Sequence, residues 1–239
     1  SVTMAITALA RELKAQGKDI LSFSAGEPDF DTPEIIKQAA IKAINDGQTK
    51  YTAVEGIIAT KQAIINKLKK DHNLDYKLDN ILISNGAKHS LFNLFQVLVE
   101  EGDEVIIPAP YWVTYPEQVK FSDGVPVFID TDDSTEFKIT PEQLKAAITP
   151  KTKVLLLNTP SNPTGSVYTK EELIALGKVL EGTDIIVLSD EMYEKIIYNG
   201  KKFTAAAEVS EDMFKRTVTI NGLSKAVAMT GWRFGYLAS

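Results

Sequence analysis

Short, continuous apolar runs alternate along the chain with stretches in which apolar positions recur every three or four residues. Runs such as Val154-Leu155-Leu156-Leu157 and Ile185-Ile186-Val187-Leu188 have no polar face, as expected of central parallel strands covered on both sides. Seven strands are predicted, at 80–84, 104–108, 125–129, 154–158, 185–189, 217–220 and 234–238, each bounded by turn residues or by a helical pattern. Helix starts are marked by Thr32-Pro33-Glu34, by Thr140-Pro141-Glu142 and by Thr169 with Glu172, a capping box; Gly47 and Gly182 mark stops. The predicted fold is therefore α/β, with a seven-stranded, mostly parallel sheet covered by helices. Residues 33–239 are expected to form this large domain, and residues 1–32 an N-terminal arm with part of a smaller domain.

Charge and composition narrow the chemistry. The 32 acidic and 26 basic residues leave a net charge of -6, which argues against nucleic acid or an anionic membrane as the main partner. No apolar run reaches the roughly 20 residues of a membrane helix. The amphipathic start at 2–14 carries Glu12, so it does not read as a signal peptide, and a cytoplasmic location is expected. With no cysteine and two histidines, disulfides, thiolate catalysis and a structural metal site are not expected. Small-molecule chemistry is the remaining default. The chain opens on Ser1 and closes on Ser239 directly after an apolar segment, so both ends read as cut or processed.

Ligands of open parallel sheets bind beyond the carboxyl ends of the strands, so the residues after each strand matter most. After the first come Asn85-Gly86-Ala87-Lys88, opening a helix whose free N–H groups suit a phosphate; alone, Gly86 could simply permit a tight turn. After the second come Pro110-Tyr111-Trp112, aromatics on which a planar ligand could stack or which could pack in the core. Asn162 follows the fourth strand within Thr159-Pro160-Ser161-Asn162-Pro163-Thr164-Gly165, a stretch that a plain turn would also explain. Asp190, with Tyr193 soon after, ends an apolar strand; a buried carboxylate there needs a cationic partner, unless it caps a helix. Lys225 stands in a nearly uncharged stretch, where burial would make it a nucleophile or base rather than a solvated surface lysine. The segment Gly222-Leu223-Ser224-Lys225-Ala226 lacks the second glycine of a serine-hydrolase elbow, and no histidine follows it. One ligand would use the phosphate cradle, stacking ring, amide, carboxylate and lysine together: pyridoxal phosphate, planar and phosphorylated, with an aldehyde for the lysine and a ring nitrogen for the carboxylate.

At this point a family resemblance adds to the reading. The markers are Ser24-Ala25-Gly26-Glu27-Pro28-Asp29-Phe30, Lys50-Tyr51, Pro110-Tyr111-Trp112, Asn162-Pro163-Thr164-Gly165, Ser189-Asp190-Glu191-Met192-Tyr193, and the block from Ser224-Lys225 to Gly231-Trp232-Arg233. In order and separation they resemble the class I aminotransferases of fold type I, most of all the bacterial aspartate aminotransferases, over essentially the whole chain. The resemblance implies that Lys225 binds the cofactor covalently and moves a proton, and that Asp190 pairs with the ring nitrogen. Tyr193 and Asn162 would hydrogen-bond the ring oxygen, and Trp112 would stack on the ring. Gly86, Ala87, Lys88 and Arg233 would hold the phosphate. Gly26 would approach the substrate carboxylate, with Trp112, Asn162 and Lys88 also meeting substrate and Lys88 reaching toward an acidic side chain. Tyr51 would reach the phosphate in a neighbouring subunit, which makes the expected active unit a homodimer.

Two departures qualify this picture. Gly222 stands where many relatives carry a serine that contacts the phosphate. The family's arginine for the substrate α-carboxylate lies in a C-terminal segment, and none of Arg11, Arg216 and Arg233 matches it, so that part of the small domain is expected to be absent from this sequence. The expected function is transfer of an amino group between aspartate and 2-oxoglutarate by a ping-pong route. The competing expectations are transamination of aromatic amino acids or prephenate, another reaction on the same fold, or a non-catalytic cofactor-binding fragment. A dinucleotide-dependent oxidoreductase is disfavoured because no G-x-G-x-x-G follows the first strand.

Overall fold

The computed structural model describes residues 2–21 and 26–239. In order these form α1 (Val2–Ala15), α2 (Glu34–Asn45), α3 (Ile58–His72), β1 (Ile81–Ser84), α4 (Ala87–Leu98), β2 (Glu104–Ala109), α5 (Thr114–Phe121) and β3 (Val125–Asp130). They continue as α6 (Pro141–Ala147), β4 (Thr152–Asn158), α7 (Lys170–Leu180), β5 (Ile186–Asp190), α8 (Glu211–Arg216), β6 (Thr217–Gly222) and β7 (Gly235–Ala238). The seven strands make one sheet in the order β1-β7-β6-β5-β4-β2-β3. Strand β7 is antiparallel to both of its neighbours and every other pairing is parallel. The remaining six strands therefore point their carboxyl ends to one edge.

Alternate residues of the apolar runs serve opposite faces, which is why those runs contain no polar position. On one face Leu155, Leu157 and Val187 pack against Leu144 of α6, Leu173 and Leu176 of α7 and Met213 of α8. On the other, Val154, Leu156, Leu188 and Ile220 pack against Leu91 and Phe95 of α4 and Tyr115 and Val119 of α5. A third cluster joins Ile64 and Leu68 of α3 to Ile81 of β1 and Tyr236 of β7. Each fully buried leucine of these layers stabilises the fold by about 1.5–3 kcal/mol.

The local signals act as expected at two of the three marked helix starts. Thr140 with Gln143, and Thr169 with Glu172, form reciprocal capping boxes. Thr32 does not cap: Pro33 occupies the position before α2, and the Thr32 hydroxyl instead donates to the Ala228 carbonyl at 2.6 Å. Strand limits shift by one or two residues, because sheet pairing rather than apolar character sets them. Asn80 belongs to a 3-10 turn, and β4 starts at Thr152, beside Glu104. Likewise β5 runs from Ile186 to Asp190, and β6 extends to Gly222 opposite Gly235, where β7 begins. No helix among the described residues is long and apolar enough to cross a membrane.

Candidate active site

Loops that follow β1, β2, β4, β5 and β6 enclose a cleft of about 710 Å³ lined by Trp112, Asn162, Asp190, Tyr193, Lys225 and Arg233, together with Gly26, Ala87 and Lys88. Eight of these residues come from the predicted set at the strand ends, and Gly26 joins them from a distant part of the chain.

At the end of β1 the turn is fixed by the Ser84 hydroxyl, which donates to the Gly86 carbonyl at 3.0 Å and lies 2.6 Å from the Ser90 hydroxyl. Gly86 has φ +88°, and a Cβ there would stand 2.3 Å from an Arg233 guanidinium nitrogen. Glycine is thus favoured by conformation, and any side chain there would displace the Arg233 guanidinium. Helix α4 starts at Ala87, so its first N–H groups have no acceptor within the helix and, with Arg233, form an anion cradle. Gly235 of β7 completes it: a Cβ there would come within 2.3 Å of the Ala87 nitrogen.

After β2, Tyr111 lines the cleft and stacks on Phe128 at 4.9 Å. Trp112 lines the cleft, packed against Tyr115 at 5.4 Å and 87°, with Lys88 Nζ 4.7 Å from its ring centroid. Burial, and then the charge of Arg233, lower the Lys88 ammonium below its ordinary range.

After β4, Asn158 accepts the Asn162 N–H at 2.7 Å and donates to the Asp190 carbonyl at 3.0 Å. Asn158 was not among the expected residues, although a polar side chain closing an apolar strand is the same signal that marks Asp190. Tyr115 was also missed, since an aromatic inside a helical pattern reads as core.

Asp190 is 4 % exposed. One oxygen accepts the Tyr115 hydroxyl at 2.7 Å and the other the Met192 N–H at 3.2 Å. Burial raises its pKa to about 6, against the opposing pull of these two donors. The Met192 contact resembles a cap, yet the segment after Asp190 is a turn rather than an α-helix. Among the described residues no cation pairs with Asp190, so the partner its burial calls for would come from a ligand. Burial and, second, Asp190 hold the Tyr193 proton more tightly, while the Asn162 side chain opposes them.

Lys225, in the turn after β6, is half-buried; burial lowers its pKa, with Glu27 pulling the other way. Its Nζ donates to the Gly26 carbonyl and lies 5.8 Å from the Tyr193 ring centroid. The Thr230 hydroxyl donates to Glu27, and the Trp232 indole to Thr32 at 3.1 Å. Residues 26–32 are thereby held against the lysine loop. Gly222 has no room for a side chain, since a Cβ would stand 2.6 Å from the Phe234 carbonyl. Tyr51 is fully exposed and does not line this cleft, while Ser24 and Ala25 lie outside the described residues. Arg216 is committed to Asp212 and to the Thr183 and Ile185 carbonyls.

The site therefore offers an anion cradle, a stacking indole, a buried carboxylate lacking a cation and a lysine with a depressed pKa, which together fit a planar, phosphorylated, basic heteroaromatic aldehyde. A doubly covered α/β sheet with this constellation at its switch edge places the chain among the α/β proteins that bind a ligand beyond the carboxyl ends of their strands. The chain belongs to the aminotransferase class I and II family, whose model matches residues 18–239. It is 56 % identical over 238 residues to the aspartate aminotransferase of Geobacillus stearothermophilus, covering 100 % of this chain and 61 % of that relative. It is 54 % identical over 237 residues to the aspartate/prephenate aminotransferase of Nitrosomonas europaea, covering 99 % and 60 %. Among solved structures, the aspartate aminotransferase of Thermus thermophilus with maleate superposes with a TM-score of 0.96 at 44 % identity, over 100 % of this chain and 62 % of that one. The chain thus spans about three fifths of the length of these relatives.

Proposed function

We propose that the protein is a pyridoxal-phosphate-dependent aminotransferase that moves the amino group of aspartate to 2-oxoglutarate. The observation that carries this reading is Asp190, a buried carboxylate without a cationic partner among the described residues, lining the same cleft as Lys225. In this reading Lys225 holds the cofactor covalently and, once released, takes the proton from the substrate's α-carbon with Nζ. Asp190 holds a proton on the ring nitrogen, Tyr193 and Asn162 donate to the ring oxygen, and Trp112 covers the ring. The α4 start at Gly86, Ala87 and Lys88, with Arg233, takes the phosphate. When bound, the cofactor supplies an electron sink that weakens the α-carbon–hydrogen bond. Gly26 borders the substrate through its backbone, and Lys88 supplies a cation for an acidic side chain.

Residues 1–32 serve in this reading as an arm and part of a smaller domain. Tyr51 reaches the phosphate of a neighbouring subunit in a homodimer, and the enzyme works in the cytoplasm. The name of the Nitrosomonas europaea relative favours prephenate as a second acceptor. The test is a visible absorption band of the purified natural protein that borohydride reduction fixes onto one peptide, followed by a panel of amino and keto acids. Label on Lys225 and turnover of aspartate with 2-oxoglutarate are expected; absence of bound cofactor, or label on another lysine such as Lys88, would overturn the reading.

A further inference from the structure

Helix α5 turns Tyr115 toward the end of β5. The side chain is 2 % exposed, and its hydroxyl hydrogen bond is given to Asp190 Oδ2 at 2.7 Å. The Met192 N–H holds Oδ1 at 3.2 Å, so the plane of the carboxylate is set by one donor on each oxygen. The Tyr115 ring is in turn packed nearly perpendicular to Trp112, with ring centroids 5.4 Å apart. The indole that lines the cleft and the phenol behind the carboxylate are thus packed as one unit.

We propose that Tyr115 is a positioning residue for Asp190, its hydroxyl fixing the carboxylate plane and keeping the group ionised so that it can hold a cationic ring nitrogen in the cleft. The inference rests on the pyridoxal phosphate reading above. A hydrogen bond to the charged form of an acid favours that form. Without it, a carboxyl so deeply buried would keep its own proton near neutral pH and could no longer favour one on a ligand. Tyr115 suits the task because burial first, and the Asp190 charge second, push its ionisation well above the ordinary range, so it remains a donor wherever the protein is folded. The other titratable groups of the cleft are Tyr193, from the segment after β5, Tyr111, after β2, and the cations Lys88, Lys225 and Arg233. None of these donates to its carboxylate oxygens.

The test titrates the Asp190 carboxyl by carbon NMR in the full-length natural protein free of cofactor, with Asp190→Asn identifying the resonance. Tyr115→Phe keeps the ring and its contact with Trp112 and removes only the hydroxyl. It is expected to raise the Asp190 midpoint by about one to two pH units, the tenfold to hundredfold effect of a hydrogen bond to a charged group. Replacing Tyr115 with 3-fluorotyrosine, a more acidic donor of nearly the same shape, is expected to lower the midpoint, and this arm decides the matter if the phenylalanine variant does not fold. In the holoenzyme, Tyr115→Phe should move the acid limb of the kcat profile upward and leave KM for aspartate within about twofold. It should add no further loss in an Asp190→Asn background. An unchanged Asp190 midpoint with either replacement overturns the proposal. If the natural protein takes up no pyridoxal phosphate, the functional reading fails, while the cofactor-free titration still decides the role of Tyr115.

Discussion

Single residues in the cleft carry opposing demands of stability and chemistry. Burial raises Asp190 from an ordinary 3.8 to about 6, so at neutral pH its ionisation costs the cofactor-free fold about 3 kcal/mol. Asp190→Asn is therefore expected to raise the melting temperature of the cofactor-free protein at pH 7.5, while slowing turnover of the loaded enzyme on the order of a thousandfold, the loss of several kcal/mol of transition-state stabilisation. Near-normal turnover would reduce Asp190 to a structural cap. Lys225→Ala should abolish the borohydride-fixed adduct, because the other cleft lysine, Lys88, is turned onto Trp112. Lys88→Ala should lower kcat/KM for aspartate by about ten- to a hundredfold, as for a lost charged contact of about 1.5–3 kcal/mol, with a much smaller loss for uncharged amino acids. An equal fall for both substrate classes would assign Lys88 to the cofactor alone.

At the scale of elements, the tightest constraint is the approach of β7 to its surroundings. Gly222→Ser would drive a Cβ to within 2.6 Å of the Phe234 carbonyl, and a backbone atom cannot yield as a flexible side chain does. The substitution is expected to destabilise the protein by about 1–3 kcal/mol, read from a denaturant melt. No change in the midpoint would mean that the strand pair moves apart freely. This crowding was not legible in the sequence, where Gly222 reads only as a missing hydroxyl. The strands themselves were legible, since runs such as Val154 to Leu157 need two covered faces, and so were the helix start at Thr140 and the box at Thr169. What escaped were contacts between residues far apart in the chain. Thr32 gives its hydroxyl to Ala228 rather than to its own helix, Tyr115 spends its hydroxyl on a carboxylate 75 residues away, and Asn158 ties two strand ends together. No local pattern encodes such pairings.

For the molecule as a whole, several buried groups shape the pH dependence of stability in one direction. Glu191, 0 % exposed, is raised by burial from 4.5 to about 7. An acid whose folded pKa is raised favours folding while protonated and loses that contribution as pH climbs, here between about 4 and 7 for Asp190 and Glu191 together. Burial alone would lower His72, but Glu194 and Glu208 outweigh it and raise the histidine from 6.5 to about 9. Its contribution is complete below 6.5 and lost by about 9. The cofactor-free protein should thus be most stable on the acidic side of neutrality and weaken steadily from pH 6 to 9; calorimetry in which stability rises over that range would contradict the assignment. The sheet order carries a different consequence, one of timing. Strand β1, which leads into the Gly86 turn, has β7 as its one partner among the described strands, and roughly 150 residues separate them. At about 5–20 residues per second on the ribosome, β1 waits several seconds or more for its mate, while β4 and β5 can already pair. The phosphate cradle therefore cannot close until β7 has been made, well after β4 and β5, and in pulse-labelled refolding the amides of β1 and β7 should gain protection after those of β4 and β5.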